Sequence, residues 1–207
     1  MPAKPKRIAI TLATIDRDGI SIAQQLVGAG NLTITGALAS GGAVSFDVPY
    51  KIETYSGGNL SAATLTVTGT DQYGRAQTDT ITGPNAGTSA GSKYFLTVTQ
   101  IASDGALGSD IEVGAADEIG YIYALDGYAT DTSVAIDIAG TINYTLQKCY
   151  ERLTAGETPN WVAGGLATQT ADGVAAYTAP TSGVRITVNS YSNGATIAMN
   201  VNQGRYN

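Results

Sequence analysis

Alternation of apolar and polar residues with a period of two runs through this chain, and a period of two is the signature of half-buried strands. Leu65 and Val67 alternate with Thr64, Thr66 and Thr68. The same spacing recurs in Val134, Ile136 and Ile138, in Ile142, Tyr144 and Leu146, in Val184, Ile186 and Val188, and in Ile197, Met199 and Val201. Successive side chains of a strand point to opposite faces, so each set lines one inward face. Turn signals separate the sets. Asp71-Gln72-Tyr73-Gly74 turns the strand at Thr64–Thr70 into the one at Ala76–Thr82, and Gly83-Pro84-Asn85 ends the latter. Asn193-Gly194 predicts a two-residue hairpin between the last two strands. One segment fits a helix, Ile20 to Val27, with Ile20, Ala23 and Val27 on one face and Asp18 as cap, although Ser, Ile and Gln inside it weaken the pattern.

Strands are expected over residues 8–14, 32–38, 44–46, 50–55, 64–70, 76–82, 94–101 and 111–113 in the first half. In the second half they are expected over 121–125, 133–139, 141–150, 161–162, 175–177, 184–189 and 195–202. Short strands at such spacing suggest sandwiches or small barrels. The small, polar stretch Gly114-Ala115-Ala116-Asp117-Glu118 suits a link. The fold class read here is all-β with little helix. It consists of two tandem β-sandwich domains, immunoglobulin-like or jelly-roll-like, over residues 8–116 and 117–207, preceded by an extended basic N-terminal arm at residues 1–7.

Composition narrows the function classes. Of the 207 residues, 43% are apolar, and no apolar run approaches the ~18 residues of a spanning helix, so no membrane partner is expected. Charged residues make up 14%, against the roughly 25% usual in soluble domains. Thr, Ser, Asn, Gly and Tyr take their place, residues that suit exposed strands, tight turns and surfaces covered by a partner. Net charge is −6, yet Lys4, Lys6 and Arg7 lie in the first seven residues, so the other 200 carry −9. Such a body repels a phosphate backbone, which argues against nucleic acid as a partner except at the arm. The apolar run from Ile8 to Ile15 is cut short by Asp16, Arg17 and Asp18, and no cleavage site follows at the right distance. Synthesis in the cytoplasm without general secretory export is the expectation.

The chain has no histidine and a single cysteine, Cys149. Ser-His-Asp and Cys-His catalysis, His-ligated zinc and a four-thiolate zinc site are thereby excluded, as is an intramolecular disulfide. Carboxylate pairs remain for glycan cleavage: Asp71 with Asp79, Asp110 with Glu112, Asp117 with Glu118, and Asp126 with Asp131. Asp126 sits beside Gly127 and Asp71 opens a turn that contains Gly74, settings where Asp commonly holds a turn. Asp16-Arg17-Asp18-Gly19 opens like a calcium loop, but its fifth and twelfth positions would be Ile20 and Val27, so the pattern fails. A loose site at Asp126 and Asp131 reads better as a solvated loop. Gly41-Gly42 and Gly57-Gly58 lack the Lys and Ser/Thr of a phosphate loop. No cofactor, metal or catalytic residue is assigned. Cys149, on the polar phase of its strand, reads as a small residue on a covered face.

Tyrosine is abundant, with 12 Tyr against 2 Phe and 1 Trp, and its large ring with a polar tip suits places where surfaces meet. Tyr121, Tyr123 and Tyr128 are candidate interface residues, the alternative being that they cover the ends of a sandwich. Lys4, Lys6 and Arg7 are the others, on an arm that either reaches to a neighbour or is a solvated tail.

The stretch Leu65-Thr66-Val67-Thr68-Gly69-Thr70-Asp71-Gln72-Tyr73-Gly74-Arg75, with Thr80 to Asn85, Lys93-Tyr94-Phe95 and the earlier Gly30 to Gly36, resembles a β-rich module of tailed-bacteriophage structural proteins. Gly140 to Thr145, Val184 to Ser190 and Ala195-Thr196-Ile197 are similar to its usual companion. The resemblance covers most of the chain. It implies a non-enzymatic virion component docking in multiple copies on the capsid or in the neck or tail, with major capsid, portal, neck or tail proteins and further copies of itself as partners. The alternatives are a carbohydrate-binding or adhesive fibre or cell-surface module and, third, a glycan-cleaving enzyme.

Overall fold

The computed structural model describes residues 5–12, 16–125, 131–153 and 159–204. Among the described residues there are fifteen strands and no helix. They are β1 (Lys6–Thr11), β2 (Ser21–Leu26), β3 (Gly30–Asn31), β4 (Ala39–Ser40), β5 (Ala43–Asn59), β6 (Thr64–Thr70), β7 (Ala76–Thr82) and β8 (Asn85–Ser103), followed by β9 (Leu107–Ala124), β10 (Asp131–Ala139), β11 (Ile142–Cys149), β12 (Val162–Gln169), β13 (Gly173–Tyr177), β14 (Gly183–Tyr191) and β15 (Thr196–Gly204). The all-β class expected from the alternation is the one the chain adopts. It divides into two compact units, Ile15–Ile119 and Met1–Thr14 with Gly120–Asn207, and passes between them inside β9.

In the unit Ile15–Ile119 the ladder runs β2-β9-β5-β8-β6-β7, with β3 on β8 and β4 on β5. β6 and β7 occupy the spans read from the sequence. Leu65 and Val67 are fully buried while the threonines between them are half-exposed. Burying each such side chain contributes about 1.5–3 kcal/mol. Their turn is held by Asp71: its Oδ1 accepts from the N–H of Tyr73 (2.8 Å) and of Arg75 (3.0 Å), and its Oδ2 from Arg75 Nε (2.6 Å). Gly74 takes φ +76°, which only glycine adopts without strain. The strands expected at 44–46 and 50–55 are one long strand, β5. Between the pairs Ser45–Thr97 and Tyr50–Phe95 four residues of β5 face one of β8, and Pro49, which has no N–H to offer a ladder, falls in this bulge.

One expectation fails in this unit, and the weak helical pattern at Ile20 to Val27 gives way to a strand. The segment considered for a helix is β2, paired with β9. Gln24 holds it extended: its side-chain amide accepts from Thr33 N–H (2.9 Å) and donates to Thr33 C=O (3.0 Å), as a neighbouring strand would. Ser21 Oγ donates to the same carbonyl (3.0 Å). The expected strand at 32–38 is not one, since beyond β3 the chain leaves the ladder although Leu32 and Ile34 remain buried. Leu32 N–H still donates to Ile101 C=O (2.8 Å), so their alternation marks burial just beyond the regular ladder.

The other unit contains the sheet β1-β15-β10-β13, and β12-β11-β14, whose last strand borders β9. Ile10, Val134, Ile136, Ile197, Met199 and Val201 of the first sheet are buried, as are Ile142, Tyr144, Leu146, Val184, Ile186 and Val188 of the second. Tyr177 of β13 donates its hydroxyl to Gly164 C=O of β12 (2.7 Å) and so ties an edge of one sheet to an edge of the other. Burial pushes the Tyr177 phenol up to about 12, with a further push from Tyr150.

Here the expected domain boundaries are redrawn. Residues 8–14 were assigned to the first domain, yet Ile8 to Thr11 pair with β15, near the other end of the sequence. The basic arm of residues 1–7 is likewise shorter than expected, because Lys6 and Arg7 are the first residues of β1, opposite Val201 and Asn200. Asn193-Gly194 does form a tight turn, with Gly194 at φ +79° and Ala195 N–H donating to Ser192 C=O (3.1 Å). It does not close a hairpin, since β14 and β15 belong to different sheets.

Candidate functional site

The residues singled out as interface candidates fall on two elements. Lys6 and Arg7 are exposed at the start of β1, an edge strand. Tyr121 and Tyr123 stand two apart on β9 and are half-buried. Burial raises the Tyr121 phenol above its ordinary value, and Tyr123 beside it adds to the rise. Lys4 and Tyr128 lie outside the described residues. The structure places the basic pair and the tyrosine pair on different sheets of the unit that holds them.

The outward face of β11 and β14 is a ladder of hydroxyl and amide side chains. Across the pairing of Asn143, Thr145 and Gln147 with Ser190, Thr187 and Arg185, Asn189 Nδ2 donates to Asn143 Oδ1 (2.7 Å) and Thr145 Oγ1 (3.1 Å). Thr187 Oγ1 donates to Thr145 C=O (3.3 Å). Arg185 donates to Gln147 Oε1 through Nε (2.9 Å) and its terminal nitrogen (2.5 Å), and stands 4.9 Å from the centroid of the Trp161 ring. The unit Ile15–Ile119 repeats the device with hydroxyls: Thr70 and Thr97 share a hydrogen bond of 2.7 Å, and Thr99 Oγ1 donates to Thr68 C=O (3.3 Å). Sequence reading missed Trp161, Arg185 and Gln147. The available signal was that Trp161 is the chain's one tryptophan and that Arg185 occupies the polar phase between Val184 and Ile186.

The carboxylates separate into those that build structure and those that cluster. Asp71 holds its turn, as above. Burial works to raise the Asp71 carboxyl, but the Arg75 guanidinium and the turn amides outweigh it and hold it below its ordinary value. Asp79 is buried and accepts from the N–H of Ser92 (2.6 Å), Lys93 (2.9 Å) and Thr80 (3.0 Å) and from Ser92 Oγ (3.0 Å). Each of these two carboxylates is held by its own donors. Asp126 lies outside the described residues, and Asp131 begins β10.

The cluster lies on β5 and β9. Between the pairs Tyr50–Ile119 and Ile52–Ala115, three residues of β9, Ala116 to Glu118, face the single residue Lys51. This bulge brings Glu118 to Lys51 (2.5 Å), whose ammonium also lies 5.5 Å from the Tyr94 ring centroid. Burial alone would lower the Lys51 amine, and the bond to Glu118 reverses this and raises it. Arg17 reaches Glu112 (3.8 Å) and covers the Tyr55 ring at 3.9 Å, from a turn whose carbonyls press against Gly114 where a Cβ would sit. Burial, then Asp117, raises the Glu53 carboxyl, and burial, then Glu118, raises that of Asp117.

At the segment resembling a calcium loop, Asp16 Oδ1 accepts from Asp18 N–H (3.4 Å) and Asp16 C=O from Gly19 N–H (3.2 Å), which closes the turn from within. Among the described residues no three acidic or cysteine side chains are grouped to hold a metal ion. Cys149 is fully buried and points its thiol at Glu151 C=O (3.5 Å). No described helix is long and apolar enough to cross a membrane. Set against known protein families, curated proteins and solved structures, the chain matches none.

Proposed function

We propose that this chain is a non-enzymatic structural component of a tailed-phage virion, docking in several copies against capsid, neck or tail proteins. The observation that carries the reading is the pair of outward ladders of short hydroxyl and amide side chains, each bonded across its strands. Their short side chains are already held in hydrogen bonds, so covering them costs little side-chain entropy, and Arg185 enters the contact already bonded to Gln147. Symmetric assemblies reuse one such patch in every copy. The sequence resemblance supplies the virion as the setting. The test is purification of the particle from cells in which this chain carries an affinity tag. Stoichiometric recovery of tagged chain in intact particles is expected, and its loss to the soluble fraction would overturn the proposal.

One observation favours a carbohydrate-binding module as a second reading. Trp161 stands against Arg185, which is bonded to the Gln147 amide, and the Asn143–Asn189 amide pair lies further along the same strands; an aromatic ring beside an amide group is chemistry that suits a sugar. Binding of the isolated chain on a glycan array, lost in Trp161→Ala, would shift the assignment to that reading.

A further inference from the structure

The strand edges of this chain are guarded unequally. An unpaired edge is a template for another chain, and proteins blunt it with bulges, charges or a covering segment. β2 shifts register twice along β9. β7 is tied to β8, with Lys93 Nζ donating to Thr78 C=O (2.6 Å), Gln77 Nε2 donating to Tyr94 C=O (2.6 Å) and Asp79 accepting from Ser92 and Lys93. β12 shifts register twice along β11 and is bonded to β13 through Tyr177. β1 differs from all of these. It follows β15 for six residues without a shift, β15 follows β10 for nine without one, and among the described residues no strand borders its outer edge. Its guards, Pro5, Lys6 and Arg7, stand at one end and leave Ile8 to Thr11 open.

We propose that the outer edge of β1 is a self-association site, where β1 of a second copy adds antiparallel and extends the four-stranded sheet across a twofold axis. This rests on the assembly reading above and specifies one of its contacts. The strand's own pattern fixes the register. Ile8 and Ile10 face the buried side with Met199 and Ile197, while Arg7, Ala9 and Thr11 face outward and are exposed. Residues directly opposite share a face, so any pairing of an even-numbered with an odd-numbered position would set apolar residues against water. Pairing Ile8 with Ile8 would bring Lys6 against Ile10 on the apolar side. Pairing Ala9 with Ala9 sets Ile8 against Ile10 in both directions and Arg7 against Thr11, and leaves Lys6 opposite Leu12, one residue past the end of β1, rather than opposite a residue inside the paired strand. That register joins the two apolar faces and places no like charges opposite each other.

The test is sedimentation velocity on the full chain over a concentration series, with Ala9→Lys and Ala9→Glu. Ala9 is exposed, so either variant folds with the wild-type melting temperature, but each sets like charges directly opposite in the dimer. The expected result is a wild-type dimer, loss of the dimer in each variant alone, and its return when the two are mixed. Oxidised Ala9→Cys should run as a disulfide-linked dimer, which gives a second readout independent of charge. A wild-type chain that stays monomeric, or variants that dimerise as well as wild type, would overturn the proposal. Failure of the mixture to dimerise, or of Ala9→Cys to cross-link, would overturn the register. Incorporation into particles is scored separately: a monomer that still enters particles removes the β1 pairing alone, whereas a dimer that never does removes the virion assignment alone.

Discussion

At the scale of single residues, charge here serves shape before it serves any partner. Asp79 lies buried with four donors aimed at its two oxygens, so Asp79→Asn would replace one acceptor oxygen by a donor facing N–H groups. A destabilisation of about 1.5–3 kcal/mol by urea denaturation is expected, the range for hydrogen bonds to a charged group. Glu53 and Asp117 act in the opposite sense. Both hold their proton more tightly in the folded chain than in the unfolded one, so their ionisation costs stability. That cost is absent below the ordinary carboxylate range and is fully present once pH exceeds the raised values. Glu53→Gln should therefore raise the melting temperature at neutral pH, and the difference should vanish as pH falls through the ordinary range. Asp71, held low by Arg75, contributes stability that is present above its ordinary value and lost as pH falls through its lowered one. A pH-independent gain in Glu53→Gln would contradict this assignment. The turn that holds Asp71 was legible in Asp71 to Gly74, but the neighbours of Glu53 and Asp79 were not, because they are set by the bulge of β9 and by β8.

At the scale of elements, period two located strands wherever apolar residues alternate against a single buried face. β6, β7, β10, β14 and β15 were legible for that reason. Gln24 and Thr33 explain where it failed, since a side-chain amide standing in for a ladder neighbour leaves no periodic trace. The merging of two expected strands into β5 was hidden by Pro49, a residue that reads as a strand end but here occupies a bulge. The partner of β1 was hidden by sequence distance. Deleting residues 2–11 removes β1, leaves Met199 and Ile197 of β15 without Ile8 and Ile10 opposite, and exposes a new edge. Loss of these contacts should lower the melting temperature by several degrees, whereas deleting residues 2–4 should leave it unchanged by calorimetry. Equal melting of the two truncations would mean that β1 contributes nothing to folding.

At the scale of the whole molecule, two all-β units share a chain that leaves one, builds the other and returns through β9. The all-β class was readable because alternation is local. Membership of β1 was not, because it depends on which end of the chain reaches which sheet edge. Lys6 and Arg7, legible as a basic pair, stand on β1, an edge strand among the described residues, while the Trp161–Arg185 contact depended on a pairing between β11 and β14 that composition does not reveal. The central claim is that the chain works by assembly. A cryo-EM map of the particle tests it most directly. The account expects this fold at symmetry-related positions, with its hydroxyl and amide ladders covered by neighbouring subunits. A particle map with every subunit assigned and this fold at none of them would contradict it.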